Sequence, residues 1–273
     1  EESTNSVKRR SVFFLSLLSN ILPLWGLCQA AHVTLQSQRE LFIDDDLIVT
    51  FFNVEQRLAT PVSGGVALQF DAPWEGRFAG AYVSAINDGK KYRLYYRGEG
   101  ENKGAPGQVT CYAESTDGIH WRKPKLQLFN VKGLKENNVV LAGNPQQSTH
   151  NLSVFYDSRP GVPPEEKFKA VGGVASSVKR QLRGLYRYVS ADGIHWKTFK
   201  DSTALFPDGY GMDSHNVLTW LPSEQCYAIY LRTWREDKPG DSVLLKGMRT
   251  IARSTSKDFI HWSAPQRMQF GDA

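Results

Sequence analysis

The sequence predicts an all-β fold assembled from repeated four-stranded antiparallel units. One motif recurs along it. Ser115-Thr116-Asp117-Gly118-Ile119-His120-Trp121 is followed by Ser190-Ala191-Asp192-Gly193-Ile194-His195-Trp196, and then by the looser Ser254-Thr255-Ser256-Lys257-Asp258-Phe259-Ile260-His261-Trp262. Short apolar runs bounded by turn residues precede every copy. Beyond the first thirty residues, no segment has a helical period. A fixed motif at near-fixed spacing marks a repeat architecture and outranks local propensity.

The motif suits a hairpin turn. Glycine accepts a positive φ, the aspartate bonds back to the backbone, and the preceding serine reaches the same turn. The Trp then opens the outgoing strand and plugs a sheet interface. His120, His195 and His261 stand beside these Trp residues and are expected to be structural, since no two share ligand spacing on one element. No metal or cofactor is expected.

Upstream, Tyr92–Arg97 matches Tyr227–Arg232, and Phe168–Gly173 fills the same slot in the middle copy. Before these come first strands at Ala81–Ile86, Asn151–Tyr156 and Asn216–Trp220, each followed by a turn. The units are expected at residues 79–129, 150–200 and 213–270. Four short antiparallel strands per unit is the pattern of a β-propeller blade. Residues 32–70, with Glu40-Leu41-Phe42-Ile43 and Leu47-Ile48-Val49, are expected to supply an outer strand that closes the ring. Three blades do not close a propeller, so the chain reads as a C-terminally truncated piece of a longer protein.

Residues 1–30 have the layout of a secretory signal peptide. Lys8, Arg9 and Arg10 precede the apolar run Ser11–Leu27, and Cys28-Gln29-Ala30 supplies a cleavage site. Pro23 and the short run argue against a membrane span. The expected domains are therefore a signal peptide at 1–30 and a partial propeller at 31–273, in a secreted or periplasmic protein without stable membrane insertion after cleavage. The basic residues behind the net charge of +5 are scattered, which argues against a nucleic-acid partner. At 41% hydrophobic and 22% charged, the chain is globular rather than disordered. Cys111 and Cys226 read as two buried strand cysteines, with a pairing left open.

Several segments resemble a group of exported bacterial proteins, common in planctomycetes, related to the invertase- and arabinanase-type five-bladed propeller glycosidases. The pieces are Leu41-Phe42-Ile43-Asp44-Asp45, Pro73-Trp74-Glu75-Gly76, Tyr95-Tyr96-Arg97-Gly98, the two Asp-Gly-Ile-His-Trp turns and Asp213-Ser214-His215-Asn216. The resemblance implies a five-bladed propeller, a sugar site in the central funnel and a glycoside hydrolase activity, with carbohydrate as the partner. The Trp-Met-Asn-Asp-Pro, Arg-Asp-Pro and Glu-Cys motifs of those enzymes do not occur, so their catalytic residues do not carry over. The Ser-x-Asp-Gly-x-x-Trp turn also resembles the Asp-box of sialidases, a structural turn.

Candidate site residues follow from position. In a propeller the first strand of each blade lines the channel. Aligning those strands matches His150-Asn151 with His215-Asn216 and with Ala81-Tyr82. Two positions earlier stand Ala79, Ser148 and Asp213. Asp213 is thus the one carboxylate at that repeat position and the first catalytic candidate, with an Asx-turn cap as the alternative. Glycoside hydrolysis needs two carboxyl groups. Glu75, beside Trp74, is the second candidate, against a solvated loop residue. The run Asp44, Asp45 and Asp46 is a further source of a carboxylate or a calcium ligand, with a solvated turn as the alternative. Substrate-binding candidates are Arg97 and Arg232 at matched strand ends, the pairs His150-Asn151 and His215-Asn216, and Trp74 as a stacking ring. A blade-to-blade ion pair is the alternative for the arginines, and a repeat-wide turn bond for the His-Asn pairs. Against the hydrolase stands a non-catalytic lectin-like or scaffolding propeller, because a fold does not fix function.

Overall fold

The computed structural model describes residues 48–77, 79–100, 108–142, 150–173, 184–200, 204–206, 214–235 and 248–269. The signal-peptide expectation, Glu40–Ile43 and Asp44–Asp46 lie outside them. The chain divides into two units, Glu1–Val62 and Ser63–Ala273. Residues 48–62 of the first carry no strand and are almost all exposed.

The second unit holds three four-stranded antiparallel sheets, each a meander. The first contains β1 (Ser84–Asn87), β2 (Tyr92–Glu99), β3 (Gln108–Ser115) and β4 (Val139–Ala142). The second contains β5 (His150–Tyr156), β6 (Phe168–Gly173), β7 (Leu185–Ser190) and β8 (Lys197–Thr198). The third contains β9 (Val217–Leu221), β10 (Cys226–Arg235), β11 (Met248–Ser256) and β12 (Gln266–Arg267). The only helical turn among the described residues is a 3₁₀ turn at Pro164–Glu166. None is long and apolar enough to cross a membrane. The fold is all-β, with three propeller blades as expected.

First strands lie side by side. The Ser84 hydroxyl of β1 donates to Leu152 O at 3.1 Å and accepts from Val154 N at 3.2 Å, both on β5. The matching Ser153 of β5 accepts from Leu218 N of β9 at 3.0 Å. Between the first two sheets lies a core of Tyr95, Tyr112, Leu152, Val154, Tyr186 and Tyr188. Val171, Val189, Leu218, Tyr227, Ile229 and Phe259 fill the space between the second and third. The far face of the first sheet is covered by Leu68, Phe70, Trp74 and Phe129 over Tyr96, Val109 and Cys111. Cys111 and Cys226 are buried and free.

The Asp-Gly turns behave as their chemistry demands. Asp117 Oδ1 accepts from Ile119 N and His120 N, and Ser115 Oγ accepts from Gly118 N, all at 2.8 Å. Each Trp ring nitrogen donates three residues back, to Gly118 O, Gly193 O and Phe259 O. The three indoles are half-buried.

Two expectations need correction. In the first blade, Trp121 does not open the fourth strand. Arg122 makes one bridge to Glu114, and the chain then leaves the sheet until β4. Pro124 has no N–H to give the ladder, whereas the β-branched pair Val139-Val140 fits it. The blade therefore runs to Ala142 rather than 129. Of the closing strand expected in 32–70, residues 32–47 lie outside the described residues, and 48–70 carry no strand. The first strand of the first blade begins at Ser84 rather than Ala81. Tyr82 at φ +59° interrupts the extension.

Candidate functional site

The Asp-box turns and the candidate site occupy opposite ends of the sheets. On β2, Tyr92 pairs with Ser115 at the turn end, and Glu99 pairs with Gln108 at the other. Arg97, Gln108, the start of β5 and the approach to β9 all belong to that other end.

Four side chains form a directed relay there. Arg97 Nη1 donates to Asn151 Oδ1 at 3.2 Å. Arginine has only donors, so the Asn151 amide turns its NH₂ toward His150 Nε2, 2.9 Å away. That ring nitrogen therefore accepts, and His150 Nδ1 carries the proton, which it donates to Gln108 Oε1 at 2.6 Å. His150 and Asn151 are 3% and 2% exposed, so each bond replaces a lost water. Asn151 sits at φ +51°, a conformation asparagine tolerates better than most residues.

His215 is held differently. Its Nε2 lies 3.1 Å from Ser84 Oγ. The Ser84 proton is already committed to Leu152 O, so His215 Nε2–H is the donor in this contact. Burial pulls the imidazole below its ordinary pKa, and a backbone bond to Leu152 opposes this only in part. The neutral ring leaves Nδ1 as an acceptor. The Tyr82 ring lies 6.3 Å from the imidazole and 5.9 Å from the Arg97 guanidinium carbon.

The two His-Asn pairs thus do not share one arrangement. Asn216 is buried, donates to Ser214 O at 3.1 Å and accepts from the Arg232 backbone N–H at 3.4 Å. The structure brings Arg97, His150 and Asn151 together and joins His215 to them through Tyr82. Arg232 is half-buried on the matching strand of the third blade. Asp213 lies outside the described residues.

Trp74 and Glu75 belong to a separate network on the opposite face of β2, reached through Tyr96 rather than Arg97. Glu75 is 0% exposed. It accepts from the Tyr96 hydroxyl at 2.6 Å and from Ala72 N at 2.8 Å, and Lys123 Nζ lies 2.8 Å from it. Asn138 ties the cluster together, accepting from Trp74 Nε1 and donating to the Tyr96 oxygen, both at 2.7 Å. Burial and the Glu75 charge push the Tyr96 phenol far up, so it stays a donor. Burial depresses the Lys123 ammonium, but the bonds to Glu75 and Asp71 outweigh it and hold it charged.

Sequence reasoning missed Tyr82, Ser84 and Gln108. The signal for the first was available: Tyr82 occupies the repeat slot of Asn151 and Asn216. Among the described residues, no group of three or more His, Cys, Asp or Glu is placed to hold a metal ion.

No protein family matches the chain by sequence. No curated protein matches it either. Among solved structures, the chain is similar to an N-acetylgalactosamine deacetylase from F. plautii in complex with blood group B trisaccharide, at 15% identity and TM-score 0.44, covering 66% of this chain and 50% of that one. It is similar to a fructofuranosidase from Schwanniomyces occidentalis, at 10% identity and TM-score 0.45, covering 69% and 34%. A GH32 β-fructofuranosidase from Bombyx mori matches at 16% identity and TM-score 0.41, covering 67% and 35%. The chain thus spans half or less of the length of these three.

Proposed function

We propose that this is an exported carbohydrate-active propeller that cleaves poly- or oligosaccharides at the mouth formed by its first strands. One observation supports the reading: Arg97, His150, Asn151 and His215, chosen from sequence as sugar ligands, gather at one end of adjacent blades. Fixed donors and a neutral imidazole acceptor suit hydroxyl groups. In this proposal Asp213, two residues before His215, supplies the catalytic carboxylate, and Arg232 and Asn216 shape the third blade's share of the site.

The alternative is a lectin-like propeller without hydrolysis. It is favoured by the state of the second expected carboxylate, Glu75, whose oxygens are engaged by Tyr96, Ala72 and Lys123 away from solvent. The test is a screen of the full chain on plant and algal oligosaccharides, followed by Asp213→Asn. Hydrolysis that falls by roughly a hundredfold or more in the variant supports the enzyme. Unchanged hydrolysis removes Asp213. Sugar binding with no hydrolysis by the wild type establishes the lectin-like reading.

A further inference from the structure

Tyr82 is an anomaly that packing does not explain. Its backbone lies at φ +59°, a genuine outlier for a bulky residue. Such strain persists only where something holds it, and it clusters at ligand sites. In the second blade the matching residue, Asn151, adopts φ +51° and is held by Arg97 and His150. Tyr82 has no such ties. The residue is 43% exposed, so burial does not offset the strain. Its hydroxyl takes part in no hydrogen bond among the described residues.

The ring's setting is nevertheless specific. The Arg97 guanidinium carbon lies 5.9 Å from its centroid and the His215 ring 6.3 Å from it, and these two groups are in turn bonded to Asn151 and to Ser84. An exposed aromatic face bordered by one obligate donor and one neutral acceptor matches a sugar ring, which pairs an apolar C–H face with hydroxyls at its rim.

We propose that Tyr82 is the stacking platform of a sugar subsite, with Arg97 donating to one ligand hydroxyl and His215 Nδ1 accepting from another. This rests on the carbohydrate reading above and goes beyond it, by naming the ring that carries the contact and the hydroxyl pattern it reads. The ligand is a neutral sugar unit with two free hydroxyls at the rim of its stacking face. A unit substituted at those hydroxyls is rejected, because the blocked positions meet Arg97 and His215.

The experiment uses the full chain and a glycan array of plant and algal oligosaccharides, with affinities measured for the best binder. Tyr82→Gly accepts the backbone conformation freely while removing the ring. It is expected to keep or raise the thermal midpoint and to weaken binding by roughly tenfold or more. Tyr82→Phe keeps the face and is expected to bind within about threefold of wild type. Wild-type affinity in Tyr82→Gly overturns the platform and leaves the carbohydrate reading standing. A lower thermal midpoint in Tyr82→Gly makes the ring a packing element and also overturns it. Failure of the wild type to bind any glycan on the array removes the carbohydrate reading, and the platform with it.

Discussion

Arg93 of the first blade donates from Nη1 to the backbone carbonyl of Asp192, 2.7 Å away in the Asp-Gly turn of the second blade. Tyr95, on the same face of β2, donates its hydroxyl to Gly193 O at 2.9 Å. The next joint is also made by an arginine, since Arg187 Nη1 donates to Phe259 O and Ile260 O. The Asp-box turn is therefore more than a hairpin. Its carbonyls are the sockets into which the preceding blade plugs.

Arg93 also holds Asp88 at 2.6 Å, with both side chains under a tenth exposed. Arg93→Ala leaves that carboxylate buried without its partner and empties the Asp192 socket. The expected cost is about 3–5 kcal/mol, measured as a fall in the urea midpoint. A loss below about 1 kcal/mol would mean the joint is held by its apolar core alone.

The third turn carries Phe259 where the other two carry glycine, and it takes the left-handed conformation at φ +66°. Phe259 is 1% exposed and packs on Phe199, Tyr227 and Trp262. Restoring the repeat residue with Phe259→Gly relieves about 1–2 kcal/mol of backbone strain. It also removes a core ring worth about 3–5 kcal/mol. A net loss of roughly 1–4 kcal/mol is expected in chemical denaturation, so the repeat consensus destabilises this turn.

The relay predicts the outcome of Asn151→Asp. The carboxylate still accepts from Arg97 but now faces the His150 Nε2 lone pair, acceptor to acceptor. The new carboxylate favours the protonated imidazole, so the His150 pKa is expected to rise relative to wild type. A raised folded-state pKa gives stability that is full below the unfolded value and is lost as pH climbs through the folded one. The variant is therefore expected to compare best with wild type under mildly acidic conditions and worst above neutrality. Imidazole titration by NMR checks the shift directly.

Asp157 sets an acid limit on the second blade. Burial raises its carboxyl, but bonds from Arg159 and the Tyr227 hydroxyl and the charge of Lys169 prevail, and the pKa falls to about 2. The side chain is fully buried. A depressed folded-state pKa contributes stability above the unfolded value of 3.8 that is lost as pH drops through about 2. The contribution is about 2 kcal/mol. Between pH 6 and pH 2 the unfolding free energy is expected to fall by about 2 kcal/mol less in Asp157→Asn than in wild type.

The repeat, the Asp-Gly turns and most strands were legible in the sequence because their causes are local. A turn serine, aspartate and glycine find their partners within three residues, and alternating apolar runs declare strands wherever they stand. The tertiary structure decided the rest. Whether the chain after Trp121 or the distant Val139–Ala142 completes the first blade depends on competition for one sheet edge. Glu75 reads as a loop acid beside a sugar-stacking Trp, yet packing against Tyr96 and Lys123 seals it in. His150-Asn151 and His215-Asn216 are the same words, but only the first becomes a relay. Its partners are Arg97, 54 residues from Asn151, and Gln108, 42 residues from His150. A hydrogen bond is specified by both of its ends, and when the second end arrives from another blade, no pattern in the first can reveal it.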